Sequence, residues 1–170
     1  SFIDPKTREL VGYDVDLGKA VAAKLGVKPV FKQITIAARI PELQQGHIDL
    51  LAASLTHSKE REAQIDFSLT TFVTGTKVLV RANSGIKDVP ELAGKRVVTA
   101  KGSSMEVNMR NAVPSANIIT FDTSPQAFVA LQQGKAVGYV NEDASLARSL
   151  NQIGDKRSEY KILPTNLAVE

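Results

Sequence analysis

Residues 48–68 read IDLLAASLTHSKEREAQIDFS. The stretch opens on an apolar run, Leu50 to Ala53, long enough for one buried strand. Ser54, Leu55, Thr56, His57 and Ser58 break that run into a hydroxyl-rich loop, and Arg61 follows inside a short charged turn. Ile65 and Phe67 then return to the core. A strand end that presents hydroxyls and backbone polar groups beside one guanidinium can hold a carboxylate. Arginine grips a carboxylate through two parallel N–H bonds, and neutral donors and acceptors orient what is attached to it.

Working outward, Asp4-Pro5 marks a turn or hairpin connection within residues 1–10. From Asp14 to Leu25 the apolar positions Val15, Leu17, Val21, Ala22 and Leu25 fit a helical stripe that Gly26 stops. Val30, Phe31 and Ile34 predict a strand, and Arg39 to Gln45 a second helix, with Pro41 in its first turn and Gly46 at its end. On the other side, Thr71 to Ala82 is a β-rich run. After it come a helical turn at Val89 to Leu92, a strand at Arg96 to Ala100 and a helix to about Asn111. A strand at Ile118 to Phe121, a helix at Pro125 to Gln133, a strand at Val137 to Val140, a helix at Glu142 to Asn151 and a strand at Tyr160 to Leu163 complete the series. The βα alternation argues for a parallel sheet covered by helices, most simply in two α/β lobes joined through the Thr71–Ala82 run.

At 170 residues the chain suffices for one ordinary domain or two small lobes, and with 43% hydrophobic and 23% charged residues it is of globular composition. It has no cysteine, which excludes disulfides, thiol catalysis and zinc–thiolate sites. The basic residues are scattered; Lys95-Arg96 lacks interleaved aromatics, so no nucleic-acid face is expected, and a net charge of +3 reads as general surface charge, although a basic surround would favour an anionic ligand. His47 and His57 lack metal-ligand spacing, no Ser-His-Asp order or nucleophile elbow occurs, and neither a P-loop nor a dinucleotide fingerprint is present. Gly102-Ser103-Ser104, between a strand and a helix, has the pattern of an anion-binding helix start and equally that of a simple N-cap.

Gly46, Ile48, Asp49, Ser54, Thr56, Arg61, Phe67 and Ser68 carry a further message through their order and spacing. Here the chain resembles the extracytoplasmic amino-acid-binding proteins of ABC importers, bacterial solute-binding protein family 3. The resemblance implies an α/β, two-lobed periplasmic-binding-protein-like fold of type II. Lobe 1 (partial) would occupy residues 1–76, a hinge strand residues 77–83, and lobe 2 residues 84–170. It implies an amino acid clamped by hinge closure, delivery to the membrane subunits of an ABC importer, no cofactor, no catalysis and no direct membrane insertion. The location would be periplasmic, or extracytoplasmic on a lipid anchor.

The resemblance also assigns residues. Arg61, with Ser54 and Thr56, would meet the ligand α-carboxylate from lobe 1, and Ser103 and Ser104 would meet it from lobe 2. The ammonium partner maps to Glu142, where the family usually has aspartate, and Asp143 stands next to it; which carboxylate points inward stays open. The segment Ile34–Pro41 and the run Phe72–Lys77 resemble the glutamate/aspartate-binding branch, in which an arginine matching Arg39 meets a distal carboxylate. Two departures from that branch are Ile36, in place of a serine, and Ser124, where a larger polar group is used. Family members begin with a further strand and finish with a second hinge strand and returning helices. The chain is therefore expected to be a fragment or a split or permuted form, or to need a second chain to complete lobe 1. The alternative functions on this scaffold are a cyclohexadienyl-dehydratase-like enzyme and the ligand-binding module of a receptor.

Overall fold

The computed structural model describes residues 2–4 and 6–169. The chain divides into two units: residues 1–34 with 38–67, and residues 35–37 with 68–170.

In the first unit, strands β1 (Phe2–Ile3) and β2 (Leu10–Val11) pair antiparallel, Phe2 opposite Val11 and Ile3 opposite Leu10. Asp4 organises the connection, as its Oδ1 accepts from the backbone N–H of Thr7 at 3.0 Å and of Lys6 at 2.7 Å. Those two bonds, Thr7 first, hold its carboxyl below the usual carboxylate range. Pro5, the other half of the turn signal, lies outside the described residues. Helix α1 (Tyr13–Lys24) buries Val15, Gly18 and Ala22, one narrow stripe at i, i+3 and i+7. Leu25, expected on that stripe, is exposed. A Cβ at Gly18 would stand 3.1 Å from Phe31 Cε1 and 3.3 Å from Ala52 Cβ, so glycine here lets two later segments close on the helix. Helix α2 spans Arg39–Gln44, and the single turn α3 (Lys59–Glu62) is capped by Ser58, whose Oγ accepts from Arg61 N–H at 3.3 Å.

Two expected strands are corrected here. Neither Val30–Ile34 nor Leu50–Ala53 forms a ladder among the described residues. A strand exists through hydrogen bonds to a neighbour, and β1 and β2, the strands of this unit, are paired to each other. Leu50 is 55% exposed and Val30 91%. The Thr71–Ala82 run also shortens, since regular pairing begins at Gly75.

The second unit is built on a six-stranded sheet. Its strands are β3 (Gly75–Arg81), β4 (Arg96–Ala100), β5 (Asn117–Phe121), β6 (Gly138–Glu142), β7 (Tyr160–Ile162) and β8 (Ala168–Val169). The order is β5-β4-β6-β3-β7, with β8 also on β3. The sheet is mixed rather than wholly parallel: β4 runs parallel to β5 and β6, while β3 pairs antiparallel with β6, β7 and β8. Period-two alternation sends neighbouring residues to opposite faces. Val78, Val80, Val97 and Val140 join one cluster with Met105 and Met109 of helix α4 (Ser104–Ala112). Leu79, Val98 and Tyr139 join the other, with Phe128 and Leu131 of helix α5 (Ser124–Gln132) and Leu146 and Leu150 of helix α6 (Asp143–Gln152). Helix starts are sealed locally. Thr123 and Gln126 form a reciprocal capping box before α5, and Ser103 caps α4. Among the described residues no helix is long and apolar enough to cross a membrane.

Candidate functional site

In the second unit, the parallel strands β5, β4 and β6 end on the same edge of the sheet. The register sets Ala100 opposite Phe121, and Val97 and Val98 opposite Gly138 and Tyr139. Each strand is followed at once by a helix, so α4, α5 and α6 all begin beyond that edge. Their partial positive ends and backbone N–H groups gather there, and the carboxyl ends of strands are where open α/β sheets bind ligands. Ser103, Ser104, Ser124 and Glu142, four of the residues expected to meet a ligand, all lie on these strand-to-helix turns.

Their surroundings differ. Ser103 is buried; its Oγ donates to Ala100 O at 2.7 Å and accepts from Glu106 N–H at 3.3 Å, so its hydroxyl proton is committed within the turn. Gly102, with φ +72°, donates its N–H to Glu106 Oε2 at 3.1 Å, and Arg110 Nη2 reaches Glu106 Oε1 at 3.2 Å. A Cβ at Gly102 would also stand 3.3 Å from Ala37 Cα. Ser104 places its Oγ 3.6 Å from Met105 Sδ. Ser124 opens α5, one residue after the cap.

Glu142 ends β6 and is the N-cap residue of α6, yet its side chain makes no cap bond. Its N–H donates to Asn141 Oδ1 at 2.9 Å. Asp143 behaves differently. Lys77 Nζ is 3.9 Å from its Oδ1, and its Oδ2 lies so close to Gly75 that a Cβ there would be 2.9 Å away. Asn166 Oδ1 comes within 2.7 Å of the same point. The Asp143 carboxylate thus lies at the start of β3. Asn108, Lys77, Tyr139, Asn141 and Asn166 were not singled out from the sequence. Asn108 Nδ2 donates to buried Thr76 Oγ1 at 3.2 Å, which ties α4 to β3. A polar residue at the end of an apolar strand, as in Tyr-Val-Asn-Glu at 139–142, was the available signal.

In the first unit, Arg39 and Arg61 come to one strip of chain. Arg39 Nη1 donates to Ser54 O and Arg61 Nη1 to Thr56 O, both at 2.9 Å. Two residues span at most about 7 Å of chain, so both guanidinium groups are anchored on neighbouring carbonyls. Each of these bonds restrains the guanidinium, which carries further N–H donors in its rigid fork. His57 stacks on Phe67, with ring centroids 4.8 Å apart, and its Nε2 is 3.5 Å from Glu62 Oε2. It is half exposed and serves the surface of this turn.

A surface depression of about 530 Å³, lined among others by Phe121, Asp122, Val129 and Lys135, lies between β5 and α5. None of the eight expected residues lines it. Its walls include one carboxylate, Asp122, and one ammonium, Lys135.

Residues 1–159 match the family model described as bacterial extracellular solute-binding proteins, family 3. The chain belongs to this family. Among curated members it is 35% identical over 147 residues to the ABC transporter glutamine-binding protein GlnH of Bacillus subtilis (strain 168), covering 84% of this chain and 54% of that protein. It is 37% identical over 152 residues to the glutamate/aspartate import solute-binding protein of Escherichia coli (strain K12), covering 82% and 50%. Among solved structures, an ancestral arginine-binding protein bound to arginine superposes with a TM-score of 0.89 at 34% identity, covering 95% of this chain and 72% of the other. The fold is the α/β, two-lobed periplasmic-binding-protein-like fold of this solute-binding family. The chain spans about half the length of the curated relatives it matches. These relatives carry glutamine, glutamate/aspartate and arginine in their names, so family membership leaves the ligand to the side chains of this chain.

Proposed function

We propose that this chain is the ligand-binding part of an extracytoplasmic solute-binding protein that takes up an acidic amino acid, glutamate or aspartate, and delivers it to the membrane subunits of an ABC importer. The observation that carries the acidic preference is the pair of arginines anchored on Ser54 and Thr56. Two arginines on one strip suit a ligand with two carboxylates, each accepting charge-assisted hydrogen bonds. Arg61, with Ser54 and Thr56, takes the α-carboxylate. Arg39 takes the distal carboxylate, and Ser124 lies toward the side-chain end. Ser103 and Ser104 contribute the start of α4 to the α-carboxylate, and Glu142 takes the ammonium. Binding alone is the function, with no covalent step.

Each charge-assisted bond contributes about 1.5–3 kcal/mol. Micromolar affinity requires about −8 kcal/mol, which is within reach of two bidentate arginine contacts plus ammonium recognition after ordering costs. Calorimetric titration of glutamate, aspartate, glutamine and arginine into the full-length protein tests the reading. The two acidic ligands bind tightest, Arg61→Ala abolishes binding, and Arg39→Ala weakens the acidic ligands at least tenfold while sparing neutral ones. Unchanged glutamate affinity in Arg39→Ala removes the acidic assignment.

A further inference from the structure

A polar cluster is buried inside the otherwise apolar packing of β6 against α5 and α6. Tyr139 and Asn141 alternate along β6 and so face the same side. Tyr139 is 1% exposed and Asn141 5%. Asn141 uses both ends of its amide. Its Nδ2 donates to Tyr139 OH, and its Oδ1 accepts from the N–H of Glu142 at 2.9 Å. Ser124, at the start of α5, and Ser149, within α6, lie beside the Tyr139 phenol, and the Ser149 hydroxyl donates to Ser145 O at 2.9 Å. The phenol ring is held by Phe128, at 5.7 Å between centroids. No buried side-chain polar atom among the described residues is left without a partner.

Burying an amide costs free energy unless its hydrogen bonds are made, and here both ends of the amide are engaged. What the amide adds is a fixed bond to the peptide that leads into Glu142. That peptide is where β6 ends and α6 begins, with Glu142 at φ −68° and ψ 147°. Fixing the N–H fixes the direction in which the Glu142 side chain leaves the turn. Through the phenol, the same cluster reaches Ser124 on the neighbouring turn.

We infer that Tyr139 and Asn141 are positioning residues that aim Glu142 at the ligand's ammonium group, holding it from inside the protein without touching the ligand. The inference rests on the assignment of Glu142 to the ammonium given above.

The test compares an amino acid with its counterpart lacking the ammonium. L-glutamate is paired with glutarate, and L-glutamine with glutaramate. Each is titrated into the full-length protein by calorimetry, weak ligands by competition. Tyr139→Phe keeps the ring and deletes only the oxygen. It weakens the amino acids about tenfold and leaves the deamino compounds within twofold; Asn141→Leu does the same more strongly. A general loosening of the fold weakens both members of each pair equally, and that result overturns the inference, as does an unchanged affinity for all four. Ser149→Ala, which removes a more distant partner of the phenol, shifts the ratio in the same direction by a smaller factor and serves where Tyr139→Phe does not fold. Glu142→Gln separates the two claims. If it leaves the preference for the amino acid intact, the assignment of Glu142 is wrong. If it removes that preference while Tyr139→Phe does not, only the positioning role is wrong.

Discussion

Leu131 in the second unit and Leu50 in the first are the same side chain with opposite surroundings. Leu131 is fully buried between α5 and the sheet, in one of two clusters whose residues all belong to the second unit. Leu50 is more than half exposed, and Val15 and Ala22 are the buried apolar side chains of the first unit among the described residues. The candidate ligand residues follow the same division. Those of the second unit stand at the ends of regular strands and the starts of capped helices. In the first unit, the two arginines donate hydrogen bonds to backbone carbonyls of an irregular segment. The candidate residues of one unit are therefore set by packing, and those of the other by charge-assisted hydrogen bonds.

Core truncation gives the largest contrast. Leu131→Ala is expected to cost about 2–5 kcal/mol through lost transfer energy and the cavity left behind. Leu50→Ala is expected to stay within about 0.5 kcal/mol. Denaturant unfolding followed at equilibrium measures both, and equal losses would mean that Leu50 is covered in solution and the contrast is false. Gly18→Ala probes the one close-packed point of the first unit. Overpacking costs about 1–3 kcal/mol, and the better helix propensity of alanine returns up to about 1 kcal/mol. The net is a loss of at most about 2 kcal/mol, read by hydrogen exchange in α1 with β3 to β6 unchanged. A gain in stability would show that Phe31 and Ala52 yield freely. The smallest effect is expected in alkali. Burial pushes the Tyr139 phenol up to about 12, against the hydrogen bonds from Asn141, Ser124 and Ser149 that lower it. The unfolded chain gives up that proton near its ordinary value of 10, so the folded form binds it more tightly between the two. The contribution of Tyr139 is complete below pH 10 and is lost as pH rises through about 12. A late phenolate absorbance step, absent in Tyr139→Phe, would locate it in the second unit. Its disappearance from the wild-type profile would mean that water reaches this cluster.

Much of the second unit was legible because its signals are local. The strand at Arg96–Ala100 matches its predicted range, and the helices after it begin at caps visible in the sequence, Ser103 and Thr123 with Gln126. Asp143 and Glu142 could not be separated by pattern. Their surroundings differ because Lys77 and Gly75, far away in the chain, approach Asp143. Ser103 was marked as a polar group at a helix start; that its hydroxyl proton is spent on Ala100 O depends on how the turn closes.

By itself the sequence determined the longer helices, the short apolar runs that could become strands and the kinship that Gly46, Ser54, Thr56, Arg61 and Phe67 carry, since periodicity, caps and motif spacing are properties of neighbouring residues. Tertiary structure alone decided which apolar runs became strands. Leu50–Ala53 and Arg96–Ala100 are both short apolar runs bounded by polar residues, yet only the second lies between two partners, β5 and β6. A ladder needs donors and acceptors from elsewhere in the chain. The placement of the Arg39 and Arg61 guanidinium groups and of the Glu142 backbone N–H was decided in the same way, by carbonyls and an amide elsewhere in the fold.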